Sequence, residues 1–111
     1  MSNVKYQYLR MNNYVLTILS DVSHVDDQVV VSWATCFKSS KEAFCKKSAR
    51  EAVHMVERNT LVVNQDFTRN EIVTKILAHL YYNSSDKSAT YHNFIQLYLY
   101  EYISSSTYKR A

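Results

Sequence analysis

The pattern of apolar and polar positions gives strands first and helices after. Residues 4–11, VKYQYLRM, place Tyr6, Tyr8 and Arg10 on one face and Gln7, Leu9 and Met11 on the other. This alternation reads as a strand, and polar groups on both faces suit a sheet edge. Asn12-Asn13 then offers a two-residue hairpin turn. Residues 14–20, YVLTILS, form a second strand, apolar on both faces apart from Thr17. Residues 22–27 read as a polar loop carrying His24, Asp26 and Asp27. The strongest strand follows at residues 28–37. Its large residues Val29, Val31, Trp33 and Phe37 share one face, and the small Val30, Ser32, Ala34 and Cys36 share the other. A strand apolar on both faces belongs in the middle of a sheet. Its small face is where a helix can approach closely, and the three strands read as an antiparallel meander.

After Ser39 the period changes from two to that of a helix. Ser39 and Glu42 have capping-box spacing, which predicts a helix start near Ser40. Cys45, Ala49, Ala52, Val53 and Val56 would form its apolar face, opposite Lys46, Lys47, Arg50, His54 and Arg58. Asn59 fits a left-handed cap. Residues 61–63 suggest a fourth strand, reached by a right-handed crossover. Thr68 and Glu71 make a second capping box, before a helix to about Tyr82 that would bury Ile72, Val73, Ile76, Leu77 and Leu80. Residues 83–88 are a polar linker. A third helix, about 89–103, is apolar nearly all round, so one covered face would not use it up; a second subunit is the simplest cover. The last eight residues suggest a frayed end. The expected fold is α+β: a small, mainly antiparallel sheet of three or four strands, one basic helix packed on it and two C-terminal helices, all in one domain of 111 residues.

Composition narrows the chemistry. Glycine and proline are both absent, where average usage would give roughly 8 and about 5. Without glycine there is no Walker loop, dinucleotide fingerprint, nucleophile elbow or calcium loop. Tight turns fall to Asn12-Asn13, Asp26-Asp27, Asn59 and Asn83, because Asn and Asp best tolerate positive φ. The two cysteines, Cys36 and Cys45, have no CxxC spacing and read as buried free thiols in a reducing compartment. No stretch has the pattern of a signal peptide or a membrane span, so a cytoplasmic protein without membrane contact is expected. Net charge is +3, and the excess is local: residues 38–50 hold five cations against one carboxylate, Glu42.

Ser39, Ser40 and Lys41 would stand at a helix N-terminus, where free N–H groups and the dipole favour an anion. Lys46, Lys47, Arg50 and His54 follow on the same helix, and arginine can grip a phosphate with two parallel hydrogen bonds. The alternative is a solvated helix face with Ser39 as a simple cap. Glu51 and His54 give one Glu-x-x-His pair, where a di-metal bundle needs two and more carboxylates; His24, His79 and His92 show no ligand spacing. No metal, cofactor or catalytic residue is expected. Neither thiol sits in a Cys–His pattern, although Lys46 and Lys47 could lower the pKa of Cys45. Tyr6 and Tyr8 could stack bases, but the small total charge ranks nucleic acid behind a small ligand. Tyr91, Phe94, Tyr98 and Tyr102 on the last helix suit a protein contact, including the seam of a dimer.

Residues 34–52, ATCFKSSKEAFCKKSAREA, resemble a stretch of small phage proteins in which a strand ends near a cysteine, followed by a polar turn, an aromatic, a Lys-Lys pair and an arginine on a helix. Phage proteins that sequester the nucleotide signal of the Thoeris defence system are the group resembled. The matching positions are Cys36, Phe44, Lys46, Lys47 and Arg50; Ser48 and Ala49 stand where such stretches commonly carry glycine. The resemblance implies a non-enzymatic, phage or mobile-element protein that captures a phosphate-bearing nucleotide signal in the host cytoplasm to counter defence. The alternative is a stoichiometric inhibitor or adaptor that meets a host protein through the aromatic last helix.

Overall fold

The computed structural model describes residues 3–11, 13–39, 45–83 and 88–110, with backbone alone for Asn3 and residues 105–110. Asn12, Ser40, Lys41, Glu42 and Phe44, and most of the linker at 83–88, lie outside the described residues. The fold is α+β. Strands β1 (Asn3–Met11), β2 (Tyr14–Val25), β3 (Gln28–Ser39) and β4 (Asn59–Val63) form one sheet in the order β1-β2-β3-β4. The helices are α1 (Lys46–His54), α2 (Arg69–Tyr82) and α3 (Ala89–Arg110). Size alone suggests one domain; internal contacts group the chain into two compact units, Met1–Gln65 and Asp66–Ala111.

In the first unit every strand pairing is antiparallel. The meander expected of the first three strands is present. The crossover is not: β4 runs antiparallel to β3, so the connection through α1 returns the chain as a long hairpin. β2 also extends through Val25, across the segment expected as a loop. Its last residues pair with the β-branched start of β3, Ser23 with Val30 and Val25 with Gln28, and such pairs stabilise a ladder. Asp26 makes the turn at φ 56°, the one positive φ among the described residues. This is the left-handed conformation that Asp tolerates. Gln65 Nε2 donates to the Asp27 carbonyl at 2.9 Å and ties the end of β4 to that turn.

The small face of β3 receives the helix, as its residue sizes suggest. Val53 of α1 is fully buried against Leu19 and Ala34, with Val4, Tyr6 and Cys36 around it. Burial of this one valine contributes about 1.5–3 kcal/mol. On the opposite face Leu9, Leu16, Ile18, Val29, Val31, Trp33 and Val63 are buried.

In the second unit, Thr68 caps α2: its Oγ1 accepts from the Glu71 N–H at 3.2 Å, half of the expected capping box. Ile72, Val73, Ile76 and Leu77 are buried on one face, and Leu80 is half-buried. Asn83 ends the helix by donating from Nδ2 to the His79 carbonyl at 2.7 Å, not by a left-handed turn, since its φ is −110°. α3 starts at Ser88, whose hydroxyl accepts from the Tyr91 N–H. It continues to Arg110, past the frayed end expected from Ser104. With no Gly or Pro to stop it, extension adds a hydrogen bond per residue once the helix is nucleated.

Candidate functional site

Strand register decides which side chains share the face that α1 lies on. Cross-strand partners stand side by side, and alternate residues share a face. Reading outward from the turn at Asp26, the rows that β1, β2 and β3 share on this face are Val4–Asp21–Ser32, Tyr6–Leu19–Ala34, Tyr8–Thr17–Cys36 and Arg10–Val15–Lys38. The helix is anchored over the second of these rows by Val53. Two cations on two strands therefore sit at the end of the face away from that turn, and acidic Asp21 sits three rows nearer to it, with the Ser23–Val30 row of β2 and β3 still beyond.

α1 lays its own cations along β1. Lys46 Nζ lies 5.8 Å from the centroid of the Tyr8 ring. Arg50 Cζ lies 5.7 Å from the centroid of Tyr6. His54 Nε2 shares a hydrogen bond with the Tyr6 hydroxyl, which donates in the tautomer that leaves Nε2 unprotonated and accepts otherwise, and the two rings meet edge to face at 5.8 Å. The spacing follows from helix and strand geometry. Lys46, Arg50 and His54 are four residues apart, about 6 Å per step along a helix. Tyr6 and Tyr8 are two apart, about 6.8 Å along a strand. One stripe of α1 thus stays in step with one face of β1. A guanidinium resting on a ring uses its flat surface there and keeps its N–H edge for a ligand.

The helix start differs from the expected one. β3 runs on to Ser39, which pairs with Tyr14 at the end of the ladder, next to a parallel Tyr14–Phe37 ring stack at 5.3 Å. Ser39 is therefore extended backbone and does not cap α1. The N-cap is Cys45, with extended dihedrals and no capping hydrogen bond from its side chain. The first turn carries no acidic residue. Cys45 is exposed, not buried in the apolar face, and Cys36 is half-buried; both are free thiols. The N–H and hydroxyl of Ser48, then the N–H and charge of Lys47, favour the thiolate and hold the Cys45 pKa below the ordinary thiol value. The helix ends at His54, so Val56 lies beyond it and is 38% exposed. Asn59 opens β4 instead of capping the helix.

The structure therefore brings Lys46, Arg50 and His54 against Tyr6 and Tyr8, named from the sequence only as stacking surfaces for bases, and puts Arg10 and Lys38 on the same face of the sheet. Ser39 is exposed at the end of β3. Ser40 and Lys41 lie outside the described residues. Lys47 is exposed and stands four residues before Glu51, where a carboxylate can share its charge. Arg58, assigned to the basic helix, pairs instead with Asp21 at 3.5 Å, beyond the helix end. Period-two alternation puts Arg10 on the face of Tyr6 and Tyr8, but only the register brings Lys38 into its row and shows that the helix lies on that face.

The aromatic residues of α3 are distributed differently from the expectation. Phe94 is buried and its ring meets that of Tyr98 at a tilt, with centroids 5.0 Å apart, while Tyr91, Tyr98 and Tyr102 are half-buried. Burial pushes the Tyr91 hydroxyl pKa up. The surface of α3 is formed by Leu97, Tyr100 and Ile103, which are 55%, 73% and 48% exposed. Among the described residues, His, Cys, Asp and Glu form no cluster of three or more able to hold a metal ion. Among them, too, no helix is long and apolar enough to cross a membrane. Comparison with known protein families, curated proteins and solved structures finds no match.

Proposed function

We propose that the protein is a non-enzymatic binder of a phosphate-bearing small ligand, with a nucleotide signal as the ligand class. The observation that carries this reading is the pairing of each helix cation with a tyrosine: Lys46 on Tyr8 and Arg50 on Tyr6. A long cationic side chain in water loses rotamer entropy when it grips an anion. Here two are already held on rings, and Lys46 stands in the first turn of a helix whose dipole favours negative charge there. Tyrosine faces and a guanidinium plane also offer stacking surfaces for a base. The resemblance of residues 34–52 to phage proteins that sequester a defence signal supports a nucleotide over inorganic phosphate, and capture over turnover.

Isothermal titration of adenosine monophosphate into the wild type and Arg50→Ala tests the proposal. The wild type should give a saturable heat, and the variant should bind at least tenfold more weakly, the effect of losing one charged hydrogen-bond partner. No heat with the nucleotide or with inorganic phosphate would exclude the reading.

A second reading, a protein partner or a second copy of the chain held through α3, is supported by the exposed Leu97, Tyr100 and Ile103. Sedimentation of the wild type beside Tyr100→Glu distinguishes self-association from a monomer. If both are monomers, the dimer seam is removed.

A further inference from the structure

The cations of the α1 face extend further than one phosphate needs. Lys46 and Arg50 stand over Tyr8 and Tyr6. Arg10 is the next residue of β1 on the same face, about 6.8 Å beyond Tyr8 by strand geometry. Lys38 lies in the same row as Arg10, with Val15 of β2 between them. Two strand spacings separate these two cations, about 9.6 Å at the backbone. Arg10 and Lys38 are both exposed. The two rows at this end of the face contain no carboxylate, and Asp21, two rows beyond Tyr8, is paired with Arg58. Positive charge therefore falls at three successive steps along β1: Arg50, then Lys46, then Arg10 with Lys38. The steps are comparable to the distance between successive phosphates of an extended dinucleotide. A single phosphate, about the size of one guanidinium, cannot touch both ends.

Resting on the phosphate reading above, we infer that the ligand carries at least two phosphate groups separated by a nucleoside, one on the Lys46–Arg50 pair and one on the Arg10–Lys38 pair. The ligand lies along β1, with its base beside Tyr8. The second pair is the length gauge of the site: a mononucleotide fills the first station and leaves the second to water.

Titrations of adenosine monophosphate and of the 5′-phosphorylated adenosine dinucleotide test the inference, with Arg10→Ala/Lys38→Ala, Lys38→Ala alone and Arg50→Ala as variants. Circular dichroism and the urea midpoint check that each variant folds. The dinucleotide should bind about tenfold or more tightly than the monophosphate, as expected for added charged contacts. The double variant should lose that advantage, weakening the dinucleotide at least tenfold more than the monophosphate, and Lys38→Ala alone should lose part of it. Arg50→Ala should weaken both ligands. Equal affinity for the two ligands in the wild type, or an advantage that survives the double variant, would overturn the second station and leave the phosphate reading standing. Failure of the monophosphate and the dinucleotide alike would overturn both. A longer oligoadenylate that binds more tightly than the dinucleotide, with affinity rising with length, would overturn the small-ligand reading in favour of a single-stranded nucleic acid.

Discussion

The two units place helices of opposite character on the surface. α1 is nine residues long, buries one of them, Val53, and presents Lys46, Lys47 and Arg50 outward. α3 is twenty-two residues long, buries Phe94 and Ile95, and still exposes Leu97, Tyr100 and Ile103. A short charged helix pinned by one valine is held by tertiary packing, since an isolated helix of this length is marginal in water. Its value lies in where the packing puts its charges. α3 is the reverse: length and hydrogen bonding sustain it, and its surplus apolar surface is available for contact. The first helix is suited to a small anion and the second to a protein surface. The two proposals for function accordingly fall on different units and can be tested separately.

The contrast can be broken first at the cores. Ile76→Ala removes a fully buried side chain of the second unit. It should lower stability by about 2–5 kcal/mol in urea denaturation; a loss under about 1 kcal/mol would mean that α2 does not anchor its unit. Val53→Ala should cost less, roughly 2 kcal/mol from two methyl groups and the space they leave. Its loss should be local, with native-state hydrogen exchange showing the amides of α1 unprotected before those of β2 and β3. Uniform loss across the sheet would show that α1 is part of one cooperative core.

Smaller effects sharpen the picture. Cys45 should titrate lower in the folded protein than in the urea-unfolded chain, read from the pH dependence of iodoacetamide alkylation in a Cys36→Ser background. A thiol with a folded pKa below its unfolded value stabilises the fold fully above the unfolded pKa. That contribution is lost as pH falls through the folded pKa. An alkylation midpoint that does not move on unfolding would remove the role of Ser48 and Lys47 in favouring the thiolate. Asp21→Asn, at the pair in which Asp21 is largely covered and Arg58 is more open, should cost about 1 kcal/mol, read from the urea midpoint. Tyr100→Glu should change monomer stability least, within about 0.5 kcal/mol, because the side chain is mostly exposed. A large loss would mean that α3 is covered in the native protein.

Local signals in the sequence were dependable where physics is local. The alternation at Val29, Val31 and Trp33 against Val30, Ser32 and Ala34 located β3 and named the face that receives α1. Thr68 and Glu71 located the start of α2 within a residue. The same capping spacing misled at Ser39, because pairing with Tyr14 kept that serine in the ladder. Asp26 was among the candidate turn residues and takes positive φ; Asn59 and Asn83, named on the same ground, do not. Of the cationic face, Lys46, Arg50 and His54 were legible from helical spacing. Arg10 and Lys38 were not, as they come together only across two strand pairings.

Residue sizes, turn chemistry and the local excess of charge thus determined the α+β class, the central strand and the basic helix, since each depends on neighbours within a few positions. The direction of β4, the true start of α1 and the line of cations along β1 were decided by tertiary structure. Those depend on register, and register is set by the best burial over the whole sheet. A shift of one residue would have sent Tyr6, Tyr8 and Arg10 to the opposite face, away from the helix.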